Sequence, residues 1–366
     1  MTARAQAAGG PVLVTRADVE EAFARVAQIL RPTPVEVSDQ FSKLAGRPVR
    51  LKPEHRQLTG SYKIRGAYNR ISRLVPGGEV VAASAGNHAQ GVARAAALTG
   101  IRATIFMPVT AALPKVAATR ADGAAVRLEG VVVDDAIAAA QAYAQQSGAT
   151  WVPPFDDPLI IAGQGTVGLE LSREAPDAEV VVVPIGGGGL VSGVAAALRD
   201  SGTRVIGVQA AGAASMRASL DAGALVRLGG VSTIADGIAV KAPSELTLAH
   251  VRELVDDVVL VTEDDISQAL LLLLERAKAV VEPAGAAALA AILSGKIPGD
   301  GPAVAVLSGG NVDPLLLIKL IEHGLSAAGR YLLLRVVVDD RPGALAALTD
   351  AVAHAGRSST TTRSSK

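Results

Sequence analysis

The chain has no cysteine, which excludes disulfides, thiolate nucleophiles and sulfur-ligated metal centres together. Aromatic side chains are scarce as well, with four Phe, four Tyr and one Trp in 366 residues. That is too few for the stacking platforms that hold nucleic-acid bases. An excess charge of one sign is also missing: Lys+Arg and Asp+Glu each number 35, a net charge of +0, so no field draws in a polyanion and no nucleic-acid partner is expected. The five His show no HExxH spacing, and no metal site is expected. The uncharged run from Val180 to Leu198 is long enough to suggest a membrane helix, but Pro184 and the glycines Gly186 to Gly189 divide it into a strand, a loop and a helix. No membrane partner is expected. The opening residues, MTARAQAAGGPVLVTRADV, lack the apolar stretch of a signal peptide. With the missing cysteines, this leads to the expectation of a cytoplasmic protein.

What is present is a core recipe of small aliphatic residues. Hydrophobic residues make up 49% and charged residues 19%, so burial can offset the ordering entropy of a folded chain. The length suits roughly two domains. Short β-branched runs at Val80 to Ala83, Arg102 to Met107, Ala125 to Leu128, Val180 to Ile185, Arg204 to Gln209 and Ala303 to Leu307 alternate with helical stretches. Those stretches include His88 to Leu98, Asp134 to Gln146, Leu190 to Arg199 and Asp264 to Val280. This alternation predicts an α/β fold built from parallel β/α units. The segment Trp151 to Gly168, rich in Pro, Gly and Asp, is where the chain is expected to cross between domains.

Four segments share the order strand, small-residue loop, helix: Ser84 to His88, Gly186 to Leu190, Ser308 to Asn311 and, less cleanly, Thr59 to Lys63. Loops at the carboxyl ends of parallel strands, opening helices with free N–H groups, are where α/β proteins hold anions. Four consecutive glycines exceed what a tight turn needs, and they allow several amides to converge on a phosphate. A dinucleotide fingerprint fails here, because Ser192 or Val191 stands where the third glycine belongs, and Gln209 where an acidic ribose ligand is sought. A small phosphorylated cofactor suits the loop better. Lys63, beside Gly60, Ser61 and Tyr62, is able to present an amine into a cleft at a helix start, although on spacing alone a lysine is usually solvated surface.

In order, Thr59-Gly60-Ser61-Tyr62-Lys63-Ile64-Arg65-Gly66-Ala67, Ser84-Ala85-Gly86-Asn87-His88-Ala89-Gln90-Gly91, Gly186-Gly187-Gly188-Gly189-Leu190 and Leu307-Ser308-Gly309-Gly310-Asn311 closely resemble the threonine dehydratase (threonine ammonia-lyase) group of fold type II pyridoxal-phosphate enzymes. The resemblance runs from about Thr15 to Gly356. It implies two open, twisted α/β domains of the tryptophan synthase β-like class and pyridoxal 5'-phosphate as cofactor. Lys63 is then the Schiff-base lysine, which forms the aldimine and afterwards takes the substrate's Cα proton. Gly186, Gly187, Gly188, Gly189 and Leu190 hold the cofactor phosphate, Asn87 the ring oxygen, and Ser308 faces the pyridine nitrogen. Tyr62, Gly237 and Glu282 lie near the ring, while Ser84, Ala85, Gly86, Asn87 and His88 receive the substrate carboxylate. Ser84 and Asn87 also suit plain helix capping, and His88 is expected to cap or pack rather than act as a base.

The chain is expected to divide into a larger domain of residues 1–45 and 150–329 and a smaller one of 46–149. After the composition break at Gly329, Arg330 to Asp339 reads as a strand of a βα unit at 330–356 that resembles part of an ACT domain, and the tail at 357–366, with nothing apolar, is expected to be disordered. Allosteric control by isoleucine or valine is expected to be absent or damaged. The implied reaction is dehydration and deamination of L-threonine to 2-oxobutanoate and ammonia, with L-serine giving pyruvate, in a cytoplasmic dimer or tetramer. A β-hydroxyaspartate dehydratase is a neighbouring alternative. Serine racemase is a closer one, but Ala85 cannot relay a proton where that relative has serine. Gln209 and Ser215 stand where its divalent-metal carboxylates belong. From another class, a non-catalytic amino-acid sensor would have no reason to keep Lys63.

Overall fold

A computed structural model describes residues 10–355. The expected disordered tail at 357–366 lies outside the described residues. Among the described residues, ten strands form two sheets: β1 (Glu36–Val37), β2 (Val49–Lys52), β3 (Glu79–Ala83), β4 (Arg102–Met107), β5 (Ala125–Leu128), β6 (Thr150–Trp151), β7 (Val180–Pro184), β8 (Arg204–Ala210), β9 (Asp257–Val261) and β10 (Ala303–Val306). The larger sheet has the order β1-β2-β10-β7-β8-β9, parallel except for β1, and the smaller has the order β5-β4-β3-β6, parallel throughout. β7, with four consecutive valines, is buried along its whole length. Continuous apolar runs of this kind mark strands covered on both faces.

The segment Val49–Lys52, which the sequence reading assigns to the smaller domain, pairs with β10 in the larger sheet, Val49 to Ala303 and Lys52 to Val306. Within Trp151 to Gly168, only the stretch before Pro158 crosses between the sheets. From there the chain enters the buried helix Pro158–Glu174, capped by Asp157. Its glycines are sites of close approach. A Cβ on Gly163 would stand 2.5 Å from Gly66 Cα, and one on Gly165 would stand 2.6 Å from the Gly193 carbonyl. The helices Lys63–Ile71 and Gly189–Leu198 therefore pack against the Pro158–Glu174 helix almost backbone to backbone.

Two expectations are corrected. The helix read from Asp264 to Val280 runs as Glu263–Leu272 and a wider turn at Leu273–Ala277, and stops where Lys278 takes φ 54°. The strand read from Arg330 to Asp339 is absent among the described residues, although the following helix forms at Ala344–His354. Leu332, Leu333, Leu334 and Val337 there are exposed. An isolated apolar segment with no neighbouring strand has no partner for its backbone groups, so the ACT-like unit is not borne out.

The Gly193 contact gives a direct test of the helix packing. A Cβ on Gly193 would run into the Ile161 carbonyl and lie 2.5 Å from the Gly165 nitrogen. Gly193→Ala should therefore destabilise the fold by about 1–3 kcal/mol through overpacking, seen as a lower urea midpoint. An unchanged midpoint would contradict the close-approach account.

Candidate active site

Loops from both sheets meet at the carboxyl ends of their strands. Ser84–His88 follow β3, Gly186–Leu190 follow β7, Ser308–Asn311 follow β10, and Lys63 follows β2 after two short 3-10 turns. Hydrogen bonds tie the two sides together: Asn87 Nδ2 donates to Glu282 Oε1 at 2.6 Å, and Asn311 Nδ2 donates to Asn87 Oδ1 at 2.7 Å. Exposed ion pairs cross the same divide, Lys115 to Asp236 at 3.1 Å and Lys241 to Asp134 at 2.9 Å.

Lys63 is the first residue of the helix Lys63–Ile71. Gly91 on the neighbouring helix lets that backbone approach, since a Cβ there would lie 3.1 Å from the Lys63 carbonyl carbon. The Lys63 Nζ donates to the Pro154 carbonyl at 2.9 Å and stands 5.2 Å from the Tyr62 ring centroid. Burial lowers its pKa to about 8, against the opposing pull of the Glu282 carboxylate. Such an amine is unprotonated, and hence nucleophilic, far more often at neutral pH than an ordinary lysine.

Two residues on, Arg65 is fully buried and fully paired. It donates to both oxygens of Glu54, each at 2.8 Å, to both oxygens of Glu170 at 2.7 and 2.9 Å, and to Thr166 at 3.0 Å. Lys52, equally buried, binds Glu170 at 2.7 Å and Glu174 at 3.0 Å. Burial alone would raise the Glu170 pKa, but Arg65 and Lys52 outweigh it and hold the carboxyl below its usual value.

The glycine loop opens the buried helix Gly189–Leu198. Gly188 has φ 95°, which L side chains rarely adopt. A Cβ on Gly187 would enter the Phe155 ring, and one on Gly188 would stand 3.0 Å from Thr247 Cβ. The Leu190 side chain is committed to the core, so at this loop Leu190 offers only its backbone.

Around the cleft, burial favours uncharged groups. Glu282, the residue before the helix Pro283–Leu293, is raised to about 7 by burial and by the nearby Asp236. Gly309 and Gly237 crowd it: a Cβ on Gly309 would collide with Glu282 Oε1, and one on Gly237 would lie 3.6 Å away. Burial also raises the Tyr62 pKa, and the Tyr62 amide donates to the Ser308 carbonyl at 3.2 Å. Ser308 is buried. His88 is lowered to about 3 by burial and by Lys63, and its Nε2 meets the Val152 carbonyl at 2.9 Å. Its ring therefore packs, and only its backbone is on offer at the helix start. Ser84, Ala85 and Gly86 line the turn before the helix Asn87–Thr99. Gly86 holds the cap position with no side-chain bond, so capping does not occupy Ser84 or Asn87. The Gly86 amide donates instead to Ser84 Oγ at 3.1 Å.

Sequence reasoning did not single out the Arg65 cluster, Asn311 or Phe155. Arg65 and Asn311 lie within the motifs already quoted, at fixed offsets from Lys63 and Ser308, and that position was the only available signal. Gln209 is held in its own turn, accepting from the Arg217 amide at 2.9 Å and donating to the Ala213 carbonyl at 3.2 Å.

A pyridoxal-phosphate cofactor fits these residues. The desolvated Lys63 amine suits an aldehyde, and side-chain-free amides at a helix start suit a phosphate. Ser61 Oγ, two residues before Lys63, and Ser192 Oγ, three residues after Gly189, are buried with no protein partner among the described residues. Fold and donor set together define a pyridoxal-phosphate enzyme of fold type II, a lyase-type scaffold. The chain belongs to the pyridoxal-phosphate dependent enzyme family, whose model matches residues 26–309, and within it to the threonine dehydratase group. It is similar to the L-threonine ammonia-lyase of Thermotoga maritima, 48% identical over 94% of this chain and 87% of that protein. It is also similar to the catabolic L-threonine dehydratase of Escherichia coli, 44% identical over 81% of this chain and 92% of that protein. Among solved structures, the processed form of threonine deaminase isoform 2 from Solanum lycopersicum matches with TM-score 0.79 and 36% identity, covering 87% of this chain and 98% of that one. Maize serine racemase matches with TM-score 0.80 and 35% identity, covering 87% and 100%. Among the described residues, no helix is long and apolar enough to cross a membrane.

The Lys63 pKa sets a pH dependence. Only the neutral amine attacks an aldehyde, so capture of pyridoxal phosphate by the apo-protein should accelerate about tenfold per pH unit below the pKa and level off above about 8. A rate still rising toward pH 10 would show an ordinary, solvated lysine.

Proposed function

We propose that the protein dehydrates and deaminates L-threonine to 2-oxobutanoate and ammonia, and L-serine to pyruvate and ammonia. The observation that carries this reading is the Lys63 amine, lowered to about 8 and hydrogen-bonded to the Pro154 carbonyl, on a helix whose start packs against Gly91 of the helix that opens at Asn87. The similarity to L-threonine ammonia-lyases supports the choice of substrate.

Bound pyridoxal phosphate supplies an electron-withdrawing ring that acidifies the Cα–H bond of an attached amino acid. In this reading Gly186–Leu190 bind its phosphate through backbone amides, Asn87 donates to its ring oxygen, and Ser308 faces its nitrogen. A neutral hydroxyl there does not hold the nitrogen protonated as a carboxylate would, which favours prompt loss of a β-substituent. Tyr62, Gly237 and Glu282 bound the ring. The substrate carboxylate sits on the amides of Ser84 to His88, at a helix start that favours negative charge. Lys63 takes the Cα proton, and its ammonium is the chain's own proton source for the departing β-hydroxyl. The product leaves as an enamine, and water converts it to the 2-oxo acid and ammonia.

Serine racemase shares the fold, but racemisation needs an acid on the face opposite the lysine, and the Ala85 methyl has no proton to give. A homo-oligomer in the cytoplasm completes the proposal. Leu315 and Ile318, exposed one turn apart on the helix Pro314–Ala327, support the oligomer by offering apolar surface.

The test is turnover of L-threonine by the cofactor-loaded protein, assayed as 2-oxobutanoate and ammonia. Lys63→Ala should lower kcat by at least about 100-fold, the low end for loss of a general base. Keto acid formation unaffected by that substitution, or none from either amino acid, would overturn the assignment.

A further inference from the structure

Asn311 has no role in the reading above, yet its side chain joins three parts of the site. Its Nδ2 donates to the Thr59 carbonyl at 2.7 Å and to Asn87 Oδ1 at 2.7 Å, with Gln90 Oε1 a longer third acceptor at 3.2 Å. A backbone carbonyl can only accept, so the Thr59 contact decides which end of the Asn311 amide is the NH2. That end also faces Asn87, whose near atom must then be its oxygen. The NH2 of Asn87 is thereby turned the other way, where it donates to Glu282 Oε1 at 2.6 Å.

The two ends of an asparagine amide are nearly isosteric, and only hydrogen bonds choose between them. Here the choice is made by a main-chain carbonyl and relayed through one side chain. The backbone is shaped for that purpose. Thr59 has φ 63° and Gly60 φ 71°, and a β-branched residue rarely holds such a conformation. The Gly310 amide donates to the Gly60 carbonyl at 2.9 Å, which straps the same loop to the segment carrying Asn311. A Cβ on Gly60 would stand 2.5 Å from Asn311 Oδ1, so the amide packs directly on this loop.

We propose that Asn311 is a positioning residue: it sets the direction of the Asn87 amide so that the donor end, not the acceptor end, meets the ring oxygen of the bound cofactor. The inference rests on the role of Asn87 given above. Asp at position 311 keeps the size but loses the donor, which leaves the Asn87 amide free to reverse and turn an oxygen toward an anionic one.

The experiment is a titration of the apo-protein with pyridoxal phosphate, giving its dissociation constant for the wild type, Asn311→Asp, Asn87→Ala and the double variant. Asn311→Asp should weaken binding about tenfold or more when Asn87 is present and less than about twofold in the Asn87→Ala background, because it acts through that residue. Asn311→Ala, which adds no charge, should show the same pattern, and apo-protein melting temperatures identify any variant that fails to fold. Equal losses in both backgrounds, or no loss in either, would overturn the proposal in favour of a purely structural asparagine. Unchanged affinity in Asn87→Ala alone would instead remove the role of Asn87, and the proposal with it.

Discussion

A guanidinium with no solvent exposure survives only where the protein replaces its water shell, and Arg65 imposes that requirement on three separate stretches of chain. Glu54 comes from the turn after β2, Thr33 from the segment before β1, and Glu170 and Thr166 from the long helix Pro158–Glu174. Lys52 adds a second buried cation that shares Glu170. Removing one partner from such a set typically costs about 3–5 kcal/mol, because a charge is left uncompensated. Arg65 lies two residues beyond Lys63 on one helix, so the carboxylates that fix the guanidinium also fix the start of that helix. The glycine contacts at Gly66, Gly163 and Gly91 complete the clamp by letting helix backbones touch.

The same helix divides two electrostatic regimes. Behind it, buried charges are numerous and compensated. In front of it, burial acts on groups with little compensation, lowering Lys63 to about 8 and His88 to about 3 and raising Glu282 to about 7. A poorly solvated cleft lined by weakly charged groups is where an amine is reactive and where added dipoles count most. The oriented amides of Asn87 and Asn311, the glycine loop and the helix starts are such dipoles.

Legibility in the sequence followed the physics of each element. β4 and β5 coincide with the runs read from Arg102 to Met107 and from Ala125 to Leu128 because their apolar stretches end in clear loop residues. β2 escaped notice because Arg50 and Lys52 leave it only two apolar residues, Val49 and Leu51, and nothing local shows that Lys52 is paired with Glu170 across the fold. β1 and β6, two residues each, carry no pattern at all. The segment from Arg330 to Asp339 shows the reverse failure, since apolar composition alone does not supply a neighbouring strand. In the site, the glycine loop and Lys63 stood out through residue type and order. The Arg65 cluster did not, because single charged residues read as solvated until their partners, 11 and 105 positions away, are brought beside them.

In the proposed function, Lys63 is the amine that takes the cofactor. The most direct measurement is borohydride reduction of the cofactor-loaded protein, followed by peptide mass mapping. A single phosphopyridoxyl group, on the peptide carrying Lys63, is expected. A label on another lysine, or spread over several, would contradict it.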